Sequence, residues 1–368
     1  MCPNDVSIVL PTYNGSAYLV ESLESILRQT FSNWELIAVD DCSTDETGDI
    51  LEAYAKKDSR IQVIHNQTNQ KLPASLNIGF REASGKYLTW TSDDNIYRET
   101  ALQRMKELLD ANPSVFLTYA QIHFINADGT PNHEVSYRYE PSRLILHDVI
   151  GACFMYRREV LDEIGEYDTG LFCVEDHDYW IRIAERHPIH HIPEILYDYR
   201  WHDGSLTATK KETIRRQRGR LREKHIDFTI SSLKNRPFDL CQVFFAYVHD
   251  TDTIDASVYK KFTDTLPVLI NLKFTLPDKP IILFGAGIVG SRAAKMLDGK
   301  VVAFADNDSA IVGTSKNGLP ILSFKEMLEQ DVDVVISVGM DKVYEIICQL
   351  IENNVQAYRV WQILADQL

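Results

Sequence analysis

The chain has 368 residues, 45% hydrophobic and 25% charged, with a formal net charge of −15. That length allows two domains and a smaller third segment, and the composition is that of a soluble globular protein. The acidic balance argues against nucleic acid as a partner, because phosphate backbones recruit basic surfaces. No stretch approaches the ~18 apolar residues of a membrane-spanning helix. The first residues, MCPNDVSIVLPTYN, lack the basic start of a signal peptide. Six scattered cysteines (Cys2, Cys42, Cys153, Cys173, Cys241, Cys348) form no C-x-x-C pair. This usage fits a reducing cytosol and argues against structural zinc.

Taken in chain order, the first ninety residues alternate strand and helix. The run 6–11 is apolar and β-branched, and 16–29 carries Leu19, Leu23, Ile26 and Leu27 at helical spacing. A second strand is predicted over 34–41. Ser43 and Glu46 have the spacing of a capping box, opening a helix with Ile50, Leu51 and Tyr54 on one face. A strand at 61–66, a helix at 73–83 and a strand at 86–91 follow. This order predicts a parallel sheet covered on both faces, with ligands at the carboxyl ends of its strands. Thr12, Tyr13 and Asn14 lie at one such end, Asp40 and Asp41 at the next, Asp93 and Asp94 at another.

From 115 to 202 the alternation breaks down. Short strands at 115–119, 152–156 and 195–200 mix with a helix starting near Glu175, which suggests an acceptor-side half. Residues 205–277 show few strand signals and read as mainly helical, with eight Lys or Arg between 210 and 224. A strand then runs into Gly285-x-Gly287-x-x-Gly290 and a helix, and a second strand ends at Asp306. This is the layout of a small Rossmann-like unit, in which Gly287 would let the backbone approach phosphate and Asp306 would bind a ribose. The predicted organisation is α/β throughout: a mostly parallel sheet flanked by helices over 1–207, a mainly helical linker over 208–277, and a Rossmann-like domain over 278–368.

Three patches carry chemistry, and each has a plain alternative. Adjacent carboxylates Asp93 and Asp94 would hold a divalent cation, with Asp94 on the metal and Asp93 towards ribose or metal, or they would cap the following helix. Glu175, Asp176 and Asp178 would stabilise a helix dipole, or Asp176 would act as a general base. Arg200 and His202, two apart on a strand, share a side and would face a diphosphate or a metal, or serve as ordinary core or surface residues. His187, His190 and His191 read as ordinary residues. The basic run 210–224 reads equally as a solvated face or as a contact for anionic lipid.

Together these segments resemble the inverting family 2 glycosyltransferases of the GT-A fold. The resemblance rests on VSIVLPTYNGSAYLVESLESILRQTFSNWELIAVDDCSTDET, LNIGFREASGKYLTWTSDDNIY, GACFMYRREVLDEIGEYD, EDHDYWIRI and YRWHDGSLT, and covers roughly residues 5–207. It implies that Pro11, Thr12, Tyr13 and Asn14 border the donor nucleoside, with Tyr13 stacking on the base. Asp41 would accept from uracil N3–H, supported by Asp40, with Lys71 near the nucleotide. Asp93 and Asp94 would correspond to a D-x-D-type site for Mn²⁺ or Mg²⁺, Asp176 to the base, and Arg200 and His202 to the diphosphate region. Many relatives carry an acid where this chain has Thr91, so the metal would rest on fewer carboxylates.

The expectation is therefore a metal-dependent inverting glycosyltransferase. It would move sugar from a UDP-sugar to a glycan or lipid-linked acceptor in surface polysaccharide assembly. It would work in the cytoplasm or peripherally on the inner membrane face, with homo-oligomerisation through the C-terminal domain as a further expectation. Two rivals stand beside it. A non-catalytic nucleotide-sugar scaffold would keep Tyr13 and Asp41 without a working base. A nucleotidylyltransferase would need a Gly-rich basic loop after the first strand, which LPTYNGSAY does not supply.

Overall fold

A computed structural model describes residues 4–136, 144–297 and 299–365. The chain divides into two compact units, 1–221 and 222–368. In the first, β1 (Val6–Thr12), α1 (Ser16–Leu27), β2 (Trp34–Asp40), α2 (Thr47–Ala55), β3 (Ile61–His65), α3 (Leu72–Glu82) and β4 (Tyr87–Trp90) follow in turn. Then come β5 (Ile96–Tyr97), α4 (Ala101–Ala111), β6 (Leu117–Asn126), β7 (Pro131–Ser136), β8 (Phe154–Arg157), α5 (Arg158–Ile164) and α6 (Glu175–Ala184). The long strand β9 (Ile189–Trp201) leads to α7 (Leu206–Thr209) and α8 (Lys211–Lys224).

One mixed sheet has the order β3-β2-β1-β4-β8-β6-β9-β5, with β7 paired to β6. The strands β3, β2, β1 and β4 are parallel, whereas β8 runs antiparallel to β4 and β6. Strand order reverses between β1 and β4, and the carboxyl ends on either side of that switch form a crevice. Both faces are covered. Val6, Ile8 and Leu10 pack with Leu19, Leu23 and Ile26 of α1 and with Leu102 and Met105 of α4. On the opposite face α3 lies so close that a Cβ on Gly79 would sit 2.4 Å from a Val9 methyl. An aromatic block behind α6, with Tyr167 stacked on Tyr179 at 4.1 Å and Phe154 4.3 Å from Trp180, holds that helix against β8.

Two local readings change. The Ser43–Glu46 capping box does not form: Glu46 precedes α2 without a side-chain cap, and the Ser43 hydroxyl instead accepts the Asn14 amide at 2.9 Å. Asp45 takes the Thr47 amide at 3.1 Å, so a nearer carboxylate has displaced the predicted cap. Strand β9 runs well beyond 195–200 because a bulge between Ile192 and Ile195 absorbs Pro193 and lets pairing with β6 continue.

The second unit opens with α9 (Ile226–Leu233), α10 (Pro237–Asp250), α11 (Ala256–Thr265) and a 3-10 turn at Pro267–Asn271. It continues through β10 (Ile281–Phe284), α12 (Ile288–Met296), β11 (Val301–Asp306), β12 (Ser315–Lys316), β13 (Leu319–Ser323), α13 (Phe324–Leu328), β14 (Asp333–Ile336), α14 (Met340–Glu352), β15 (Arg359–Val360) and α15 (Trp361–Leu364). Its sheet order is β12-β13-β11-β10-β14-β15, parallel except for the β12–β13 pair. Cys2 lies outside the described residues, and the other five cysteines are free thiols. No helix among the described residues is long and apolar enough to cross a membrane.

Candidate functional site

The crevice between β1 and β4 gathers the predicted acids. The Thr12 hydroxyl, at the end of β1, donates to an Asp93 carboxylate oxygen. Gly15 makes that approach possible, since a Cβ there would lie 1.9 Å from the same oxygen. Burial, followed by the charge of Asp94, pushes the Asp93 carboxyl up to about 7. Neither aspartate caps a helix: β5 intervenes, and α4 starts only at Ala101, preceded by Thr100. The capping alternative for this pair is therefore removed.

Asp94 points its carboxylate at two partners, the Ser92 hydroxyl at 2.5 Å and His202 Nε2 at 3.0 Å. One carboxylate and one imidazole thus meet at the strand ends. Among the described residues no group of three or more His, Cys, Asp or Glu is arranged for a metal. The donor set fits a divalent cation that takes two protein ligands, Asp94 and His202, and the rest from a diphosphate and water. Thr91, where many relatives would carry an acid, is buried, and its hydroxyl is bonded to the Tyr197 hydroxyl at 2.6 Å.

Arg200 departs from expectation. It is 1% exposed, and its guanidinium is consumed by the fold. Nε donates to the Asp94 carbonyl at 3.0 Å, one terminal nitrogen to the Ala127 carbonyl at 2.9 Å, and the other to Glu21 at 2.5 Å, while the group lies 4.6 Å from the Tyr18 ring centre. It is a buckle joining β9 to α1 and to the Asp94 loop, with no donor turned to a diphosphate. His202 packs on the same Tyr18 ring at 5.0 Å. Tyr18 and Glu21 are therefore supports that sequence reasoning missed; their helical i, i+3 spacing on α1 is the one signal they leave.

At the ends of β1 and β2, Tyr13 is 50% exposed, and Pro11 is buried in β1. The Asn14 side-chain oxygen Oδ1 accepts the Thr44 amide at 2.8 Å, which ties the first loop to the second. Asp41 is 3% exposed and accepts from Asn66 Nδ2 at 2.7 Å and from the amides of Gln70 and Lys71 at 2.8 and 2.9 Å. Asp40 holds its own loop, taking the Ser43 amide at 2.9 Å and His65 Nδ1 at 2.9 Å. Lys71 precedes α3 with a positive φ of 73° and an exposed side chain.

The three acids opening α6 separate into different roles. Asp178 is fully buried and bonded to Arg182 at 2.8 Å. Asp176 accepts the His177 amide at 2.7 Å; burial and the charges of Asp148 and Glu175 push its carboxyl well above the usual range. Glu175 is 2% exposed, one of its oxygens has no hydrogen-bond partner, and burial raises its carboxyl to about 7. Burial raises the Tyr199 phenol, a Thr207 hydrogen bond opposes the rise, and the charges of Asp94, Asp176 and Asp148 add to it.

In the second unit, Gly285 has φ of 115° and Gly290 approaches its carbonyl so closely that a Cβ would lie 2.0 Å away. Of the three motif glycines, Gly287 is the one where a built Cβ would meet no atom within 4 Å. Asp306 accepts the Ala286 and Asp308 amides at 2.8 and 3.0 Å, closing its own loop.

Residues 7–165 match the model for glycosyl transferase family 2, and residues 278–361 match that described as C2185-like, N-terminal. An uncharacterized glycosyltransferase of Methanocaldococcus jannaschii is 30% identical over 220 residues, 57% of this chain and 76% of the relative. A Bacillus subtilis protein named for teichuronic acid biosynthesis is 33% identical over 126 residues, 34% of this chain and 50% of its own length. The chain spans 23% to 66% of the first curated relatives it matches. The fold is also that of Staphylococcus aureus TarS 1–349 in complex with UDP-GlcNAc, at TM-score 0.50 and 17% identity over 72% of this chain and 90% of that 1–349 chain. A mannosyltransferase of Pyrobaculum calidifontis in complex with GDP-Man and Mn²⁺ matches at TM-score 0.51 and 16% identity over 72% and 80%.

Proposed function

Because the chain belongs to the family 2 glycosyltransferases, we propose that it transfers a sugar with inversion from a UDP-sugar to a hydroxyl of a glycan or lipid-linked acceptor. The observation that carries this reading is the Thr12–Asp93–Asp94–His202 corner at the strand switch point, with Asp176 at the start of α6 raised in basicity by burial and its acidic neighbours. Tyr13 would stack on the uracil. Asp41, immobilised by three donors, keeps lone pairs for N3–H. Asn14 shapes the first loop, and Lys71 would meet the nucleotide's charge. Asp93 would take a ribose hydroxyl or the metal. A divalent ion on Asp94 and His202, Mn²⁺ or Mg²⁺, would supply charge neutralisation for the leaving diphosphate when bound.

Asp176 takes the proton from the acceptor hydroxyl as that oxygen forms its bond to the anomeric carbon. The bond from that carbon to the phosphate oxygen breaks on the opposite face, and UDP departs with the electron pair. A carboxylate whose proton affinity is raised is the better base. Surface polysaccharide assembly is the setting this reading favours, in line with the Bacillus relative's name. For the second unit we read nucleotide binding at Gly287 or assembly between copies. The reading is tested by product analysis with a panel of UDP-sugars and acceptors: Asp176→Asn should lower turnover about 10²- to 10⁴-fold with donor affinity unchanged. Full turnover by that variant would refute the assignment.

A further inference from the structure

Four large hydrophobic side chains of the first unit stand out as exposed: Tyr13 at 50%, Val20 at 44%, Trp201 at 51% and Leu206 at 41%. Tyr13 has a nucleoside to cover. The other three have no ligand in the proposed reaction, yet they lie on two segments that touch. Val20 is on α1, two residues from Tyr18 and one from Glu21, the two side chains that grip Arg200 and His202. Trp201 sits between Arg200 and His202, and Leu206 begins α7 just beyond.

The chain then turns strongly basic. Eight of the fifteen residues 210–224 are Lys or Arg, against two Glu, in a protein of net charge −15. Lys210, Lys211, Arg218 and Arg220 are exposed. The run begins eight residues after His202, so it leaves from the same strand end as the Asp94–His202 contact.

An exposed Trp–Leu pair followed at once by cationic residues has the chemistry of a bilayer interface. The apolar groups enter the headgroup region, where Trp is favoured, and the cations meet anionic lipid. A purely solvated basic helix has no use for exposed Trp and Leu at its approach. We propose that the end of β9, α7 and the first turns of α8 form a docking face for an anionic phospholipid bilayer, which sets the mouth of the cleft against the membrane surface. The occupant follows from charge complementarity to α8 and from the apolar rim. The proposal does not depend on the donor or the reaction.

The test is co-sedimentation of the full chain with vesicles of phosphatidylcholine alone or mixed with phosphatidylglycerol, at low and high salt. Binding is expected only with phosphatidylglycerol, and salt should weaken it. Two independent double variants, Lys211→Glu with Arg218→Glu and Trp201→Ser with Leu206→Ser, should each weaken it by about tenfold or more with unchanged melting temperature. Equal partitioning onto neutral and anionic vesicles, or no binding to either, would overturn the proposal. So would variants that bind like the native chain. Tight binding to soluble polyphosphate without binding to vesicles would also overturn it, because the occupant would then be a soluble polyanion.

Discussion

Glu175 is the residue whose environment is hardest to reconcile with a charge. It is almost wholly buried beside Asp176 and has an oxygen without a partner. Burial raises its carboxyl from 4.5 to about 7, so the native state keeps a proton that the unfolded chain has already lost. The sign follows: this contribution to stability is present below about pH 4.5 and is lost as pH rises through about 7. Glu175→Gln should remove it. The native protein's melting temperature should fall relative to that variant between about pH 5 and about pH 8, as read by calorimetry; parallel curves would show that Glu175 ionises as freely in the fold as outside it. Arg200 gives a second case. Period-two alternation places it on the same side as His202, but cannot say that α1 closes over that side. Replacing it with Ala leaves the Asp94 and Ala127 carbonyls without this donor and empties a buried site, while the half-exposed Glu21 turns to water, so it should cost about 2–3 kcal/mol in chemical denaturation.

Elements were legible where one physical signal acted alone. The β-branched runs of β1 and β2 and the helical spacing of Leu19, Leu23 and Ile26 left little choice, since both faces of a parallel sheet must be buried. Where local signals competed, reading failed. Ser43 and Glu46 had capping spacing, but Asp45 stands nearer the helix and Asn14 claims the Ser43 hydroxyl. The strand was read only over 195–200, and the bulge that lets β9 run past Pro193 is a property of the pairing with β6. The close seat of α3 on β1 and β2 yields a prediction of its own. Gly79→Ala must push against Val9 at 2.4 Å and Val39 at 3.2 Å, so it should destabilise by roughly 1–3 kcal/mol. An unchanged denaturation midpoint would mean that α3 can lift without loss.

Across the molecule, the sheet does the positioning. Loops from opposite sides of the β1/β4 switch are latched by Thr12 and Asp93. The end of β9 is latched to both by Arg200 and by His202 on Asp94. The acids were legible because strand ends are where a parallel sheet collects ligands. Their supports Gly15, Tyr18 and Glu21 were not, because each acts through a contact distant in sequence. The central claim is that this corner binds a nucleoside diphosphate together with a divalent ion. Calorimetric titration of UDP into the full chain, with Mn²⁺ and then with EDTA, tests it most directly. UDP should bind with Mn²⁺ and lose about tenfold or more in affinity with EDTA, with the same loss in His202→Ala and Asp94→Asn. UDP binding of equal strength with and without the ion, or no UDP binding at all, would contradict the account.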